Sequence, residues 1–224
     1  LHRVQLRQQV HCKGHWVSHE ESKRRSYLVA HLIERKRSTG LGDTTGLVSG
    51  GVERRIKEGS PFSGILLDKG PGESEGWAHN IQLLLAWKSE SGRHTSEYIE
   101  NREWKEKITK SGIEKMNLIG KGVWDSSRWE ELLLASEEFA SESGLILDSD
   151  RSVILEDANR ILRNNNLQTK FIPLLCMLGR SIVVLPRDIK YPEFGIDRIS
   201  EELKKIGYNI AVSYTHLTLP TTRC

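Results

Sequence analysis

The sequence predicts an α/β domain built on a mostly parallel sheet with helices on both faces. Three observations carry that expectation. Short, wholly apolar runs at Ile65–Leu67, Leu145–Leu147 and Ile182–Leu185 read as strands buried on both sides. Stretches with helical spacing alternate with them, notably Val153–Leu162 and Ile196–Ile206. Two of the apolar runs end on an acid, Asp68 and Asp148. Ligands of open parallel sheets sit beyond such strand ends.

Taken in order, Ser18 with Glu21 three residues later has the form of a capping box. A helix should follow to about Arg35, with Tyr27, Leu28, Leu32 and Ile33 among its buried positions. A glycine-rich turn comes next, Gly40-Leu41-Gly42-Asp43-Thr44-Thr45-Gly46, and then the pair Gly50-Gly51. Val52–Glu58 reads as a short helix and Trp77–Lys88 as a helix with a heavily apolar face. Residues 89–122 are polar and show no core pattern. Ser126 or Ser127 caps a helix carrying Trp129, Leu132, Leu133 and Phe139. Phe171–Leu178 reads as a further helix and Tyr208–Val212 as a closing strand. There is no internal repeat.

The 224 residues suffice for one domain with a real core. The first residue is Leu1, so the chain is expected to begin inside a longer reading frame. Net charge is only +3, but basic residues crowd the first 57 positions, with Lys23-Arg24-Arg25, Arg35-Lys36-Arg37 and Arg54-Arg55 the densest runs. Such asymmetry suits a polyanion-facing surface, or a set of solvated charges. Cys12, Cys176 and Cys224 have no paired spacing, which fits free thiols in a reducing compartment. No signal peptide is seen, and the longest apolar stretch is too short to cross a bilayer, so a soluble intracellular protein is expected. The run from Val212 to Thr221 looks like a translated sequencing adapter. Three segments result: 1–17 as an upstream part of a larger protein, 18–211 as the domain, cut short at its C-terminus, and 212–224 as an adapter-derived tail.

The residues that can carry chemistry converge on the glycine turn. Glycines let backbone approach a ligand where a Cβ would clash. Asp68 stands where an acid can accept hydrogen bonds from a ribose, and Asp148 ends a later strand. A surface turn with two ordinary strand-end acids explains the same pattern. The turn is not a P-loop, because no Gly-Lys-Ser/Thr follows, and its glycine spacing is not that of a dinucleotide fingerprint.

The heptad Gly40–Gly46 resembles the Gly-x-Gly-Asp-x-Ser/Thr-Gly motif of one family. That family is the cap methyltransferase domain of the large (L) polymerase protein of non-segmented negative-strand RNA viruses. Lys23, Ser63-Gly64-Ile65-Leu66, Asp125 to Trp129, the Leu145–Asp150 run and Ile196 to Val212 resemble further family segments in order, over roughly residues 15 to 211. The resemblance implies a Rossmann-like class I methyltransferase fold and S-adenosyl-L-methionine as cofactor. It implies Gly40, Gly42, Asp43, Gly46 and Asp68 as cofactor-binding residues, with no metal. Lys23 matches the family's first catalytic lysine and Asp148 its aspartate. The second lysine falls at Pro186-Arg187-Asp188, where Arg187 offers charge but does not readily lose a proton. The implied activity is methylation of the viral mRNA cap, at ribose 2′-O or guanine N7, by part of an RNA-directed RNA polymerase. The fragment alone should be inactive, since the family's last glutamate is missing. Capped viral RNA, other polymerase domains and a viral phosphoprotein are the implied partners. Host cytoplasm or nucleus and the virion are the implied locations.

Two other readings stand beside it. Asp125, Asp148, Asp150 and Asp188 would hold magnesium in a metal-dependent nuclease. Alternatively the chain is a non-catalytic α/β module that binds RNA. His11, Cys12, His15 and His19 lack the spacing of a zinc site.

Overall fold

The computed structural model describes residues 10–12, 15–37, 42–57, 59, 62, 72–78, 81–88, 95–176, 179–190 and 195–214. It divides into two compact units, Leu1–Ser49 with Arg55–Glu75, and Gly50–Arg54 with Gly76–Cys224.

The first unit opens with a small antiparallel pair, β1 (Val10–Cys12) and β2 (His15–Val17). Helix α1 (His19–Arg37) starts behind Ser18, whose Oγ accepts from Glu21 N at 3.2 Å, as the capping box predicts. Helix α2 (Gly42–Ser49) takes in Gly42 to Gly46 of the expected glycine turn. Strands β3 (Val52–Lys57) and β4 (Glu73–Trp77) pair with each other, and the chain passes between the units within each of them. Val52–Lys57 is therefore a strand, not the expected short helix. Gly51, just before β3, has φ +64°, and a Cβ there would lie 2.2 Å from the carbonyl oxygen of Trp77.

The second unit is organised by a four-stranded sheet in the order β6-β7-β5-β8. Its strands are β5 (Gln82–Trp87), β6 (Phe171–Leu175), β7 (Ser181–Pro186) and β8 (Asn209–Tyr214). Every pairing in it is antiparallel. The expectation of a mostly parallel, Rossmann-like sheet is corrected by this register. The physical reason is plain: an all-apolar strand reports burial on both faces and carries no information about direction.

Both faces are indeed covered. On one, Leu84, Ala86, Ile182 and Val184 pack against α6 (Ser149–Asn164) and α7 (Ile196–Lys205), through Ile154, Ala158, Ile161, Leu162, Ile199 and Leu203. On the other, Ile172, Leu174, Val183 and Leu185 meet Trp129 and Leu133 of α5 (Trp129–Glu142). Alternate residues of β6 and β7 thus serve opposite cores, the period of two that a strand imposes.

Two more helices fill the stretch read as irregular, α3 (Thr95–Glu100) and α4 (Arg102–Ile119). Asn101 caps α4, its side-chain oxygen accepting from Trp104 N at 3.1 Å. The C-terminal carbonyls of α4 are gathered by arginines: Arg54 donates to Ile119 O at 2.6 Å and to Gly122 O, and Arg128 to Lys121 O at 2.6 Å.

Leu145–Leu147 is a 3-10 turn, not a strand, and Asp148 is the N-cap of α6. Trp77–Lys88 holds the end of β4 and β5 rather than a helix. Phe171–Leu175 is a strand with Pro173 inside it, at the sheet's edge where proline is tolerated. β8 runs on through Val212, Ser213 and Tyr214, pairing with Leu84, Leu83 and Gln82. Main-chain pairing of this kind does not depend on which side chains the tail carries.

Candidate functional site

Of the expected glycine turn, Gly42 to Gly46 are helix rather than turn and make up the first residues of α2. The first turn of a helix has backbone N–H groups without partners in the helix and the positive end of its dipole, an arrangement suited to anions such as phosphate. Gly46 lies half-buried within the same helix, while Thr44 and Thr45 are buried, 6% and 5% exposed. Asp43 is the second residue of α2. Gly40 and Asp68 fall outside the described residues.

Helix α1 lines α2 with a polar stripe. Lys23, Tyr27, His31 and Glu34 recur at three- and four-residue spacing and share one face. Lys23 Nζ donates to Val48 O at 2.7 Å, placing a cation at the negative end of α2. Toward the other end, Thr44 Oγ1 donates to Glu34 Oε2 at 2.9 Å. The two helices therefore run antiparallel. Between these contacts Tyr27 is buried, its hydroxyl 3.2 Å from His31 Nδ1 and its ring stacked on the imidazole at 5.3 Å. Phe62 meets Tyr27 edge-on at 5.3 Å. Tyr27, His31 and Glu34 were not singled out as chemical groups in the sequence. Their signal was the i, i+4, i+7 spacing of polar residues on a helix entering a glycine turn.

The other predicted residues lie in the second unit and have local roles there. Asp148 accepts from Asp150 N at 3.2 Å through Oδ1 and from Tyr98 Oη at 2.9 Å through Oδ2. Tyr98 is in turn covered by Arg151, whose Cζ lies 4.3 Å from the ring centroid. Arg187 is exposed and donates from Nε to Gln168 O at 3.1 Å. Lys23 belongs to the first unit, so no single unit holds Lys23, Asp148 and Arg187.

Of the proposed magnesium ligands, Asp125 caps the turn before α5, accepting from Ser127 N at 2.8 Å. Its hydrogen bonds to Ser127 hold its carboxyl below the usual range. Asp188 accepts from Lys190 N at 2.8 Å. Among the described residues no group of three or more His, Cys, Asp or Glu gathers as a metal cluster. Among them, too, no helix is long and apolar enough to cross a membrane. The basic runs are partly accounted for as well: Arg24 and Arg25 pair with Glu21, and Arg54 is buried against carbonyls.

Known proteins resemble this chain in a different direction from the viral one. It is 25% identical over 191 residues to pantoate kinase of Thermococcus kodakarensis, a match covering 85% of this chain and 55% of that protein. Its fold is similar to that of a solved phosphotransferase related to the CoA biosynthesis pathway, with a TM-score of 0.58 and 22% identity. That likeness covers 87% of this chain and 55% of the other. The chain thus spans about half the length of the relatives it matches. No family pattern matches it.

These findings overturn the resemblance to the viral L-protein methyltransferase. With it go the enzyme class, the role in mRNA capping and S-adenosyl-L-methionine as cofactor, since the relatives are a kinase and a phosphotransferase and the large sheet of this chain is antiparallel. Neither the nuclease nor the RNA-binding module gains support. The RNA, polymerase and phosphoprotein partners and the viral locations rested on the same resemblance. A short glycine motif misleads for a physical reason. Close backbone approach is needed by many ligands, so the glycines report the approach and not the ligand.

Proposed function

We propose that this chain forms part of an ATP-dependent kinase acting on pantoate or a closely related hydroxy acid. The observation that carries the reading is the match to pantoate kinase over 85% of the chain, supported by the similar fold of the solved phosphotransferase. The reaction calls for a nucleoside triphosphate with magnesium, which supplies the phosphoryl group. The residues present fit that group. Nucleotide-bound magnesium keeps several waters and takes only one or two protein carboxylates, so a large ligand cluster is not required. Glu34 is a described carboxylate at α2, and Asp43 is the second residue of that helix.

Phosphoryl transfer asks the protein mainly for positioning and charge stabilisation. In this reading the N–H groups at the start of α2 hold phosphate oxygens. The Glu34–Thr44 hydrogen bond fixes the start of α2 against α1, and the Lys23–Val48 bond fixes its end. The Tyr27 contact holds the His31 ring in one orientation at the same face. The test uses the protein expressed from its complete reading frame. ADP formation from ATP should depend on both pantoate and magnesium, and Glu34→Gln or Asp43→Asn should lower kcat by about 10- to 100-fold in a folded protein. A folded protein that forms no ADP in response to pantoate would sink the proposal.

A further inference from the structure

From Ser49 to Arg54 the chain leaving α2 is held at almost every step. Ser49 Oγ lies 2.5 Å from Ser74 Oγ on β4. Gly50 and Gly51 carry the backbone through left-handed conformations, φ 70° and 64°. Gly51 sits so close to Trp77 O that a Cβ would come within 2.2 Å of it, so this turn has no room to move toward β4. Val52 O accepts from the indole nitrogen of Trp124 at 2.9 Å. Arg54 is buried and donates to Ile119 O at 2.6 Å, to Lys121 O at 3.2 Å and to Gly122 O. Its Cζ lies 5.2 Å from the centroid of the Trp124 ring. A guanidinium is costly to take out of water unless its donors are met, and a planar fork spread over three carbonyls makes a rigid clamp. Arg128 also donates to Lys121 O, at 2.6 Å, and pairs with Glu131, so the clamp grips a turn that is itself fixed.

We infer that Trp124 and Arg54 are positioning residues for α2: by clamping β3 they keep still the helix whose first turn is the candidate phosphate site. The inference rests on the kinase reading for its ligand, a nucleoside triphosphate. Eight helical residues form a stiff rod about 12 Å long, so freedom at the exit of α2 is felt at its entry. The N–H groups there hold phosphate oxygens only while they point at them, because hydrogen bonds weaken steeply with angle. Glu34 and Lys23 tie α2 to α1, at Thr44 and Val48. The clamp adds a restraint of another kind, passed on through two glycines and the strand behind them. Neither Trp124 nor Arg54 needs to touch the nucleotide to act on its affinity.

The experiment uses the protein from its complete reading frame. Trp124→Phe removes the indole donor and keeps a ring, while Arg54→Lys keeps the charge and removes the fork. Tyr208→Phe is the control, because it deletes another buried hydrogen bond, the 2.8 Å one to Asp157 Oδ2, in the core under α6 and α7. Hydrogen exchange is read at the amides of residues 46–49, those with acceptors inside α2. Both clamp variants should speed it by about fivefold, the worth of one net hydrogen bond, and the control should not. KM for ATP should rise by a similar factor, about fivefold, while KM for pantoate stays within about twofold. Exchange that is unchanged in both clamp variants, or raised as much by Tyr208→Phe, overturns the inference. So does an unchanged KM for ATP in a clamp variant whose exchange has risen. The two variants remove different contacts, so loss of folding in one leaves the other to decide. A wild-type protein that makes no ADP in response to pantoate refutes the kinase reading instead. The exchange measurement needs no nucleotide, and it still decides whether the clamp holds α2.

Discussion

The two units use opposite means of holding helices in place. In the second, α5, α6 and α7 press aliphatic and aromatic side chains onto both faces of one sheet, and Leu84, Ala158, Ile182, Val184, Ile199 and Leu203 are wholly buried. In the first, α1 and α2 meet through Lys23, Glu34, Thr44 and Val48, hydrogen bond by hydrogen bond. Apolar burial is non-directional and strong, about 25 cal/mol per Å². Hydrogen bonds are weaker net but fix direction. The difference separates a part built for stability from a part built for placing polar groups.

Substitutions can break or sharpen that contrast. The largest effect is expected in the second unit. Leu203→Ala should cost about 3 kcal/mol in urea unfolding, by transfer and by the cavity left under the sheet. A loss below about 1 kcal/mol would mean that this core is not what holds the unit. Asp148→Ala should cost about 1 to 2 kcal/mol, since it removes the cap of α6 and the acceptor for Tyr98 together. An unchanged urea midpoint would deny the capping role.

Next comes a pH effect. Burial pushes the Cys176 thiol up to about 11 from its ordinary value of 9.0, partly opposed by Ser181. Above pH 9 the unfolded chain loses this proton while the folded one keeps it, so stability falls as pH rises from about 9 to about 11. By roughly pH 10 the thiol alone should account for about 1 kcal/mol of loss. Cys176→Ala should flatten that part of the profile, and an identical slope in the variant would contradict the assignment. The smallest effect belongs to Glu21, whose carboxyl is held below the usual range by Arg25 on an exposed helix face. Glu21→Gln should leave Tm unchanged within error. A clear drop would show that surface charge matters more to the first unit than its buried hydrogen bonds.

The sequence made much of the second unit legible where periodicity and burial agree. Helices α5, α6 and α7 and strand β7 are where their apolar spacing put them. Helix α4 escaped because its inward stripe is partly polar. Ser111 is buried, and Lys115 bridges Glu138 and Glu142 of α5, both at 2.7 Å. A hydrophobic pattern cannot show a face that pairs charges. Strands β5 and β6 escaped because an unbroken apolar run has no period to read, although Pro173 argued against a helix. At the candidate site the glycines read as a turn, but Gly42 to Gly46 are the start of α2, and the ligand was not legible. Excluding a P-loop removed one way of binding phosphate, while the start of α2 remained another.

Pro173 has one more effect. Lys170 O accepts from Arg187 N, and Ser181 O from Cys176 N, at 2.8 and 2.9 Å. The register between those two bonds turns the backbone nitrogens of Phe171, Pro173 and Leu175 away from β7, to the side on which no further strand pairs among the described residues. The middle one is a ring nitrogen with no hydrogen to give. An incoming strand from another molecule would meet a gap in the ladder at its centre. Pro173 thus leaves β6 one donor short toward any further strand, on top of the burial of Phe171, Ile172 and Leu174.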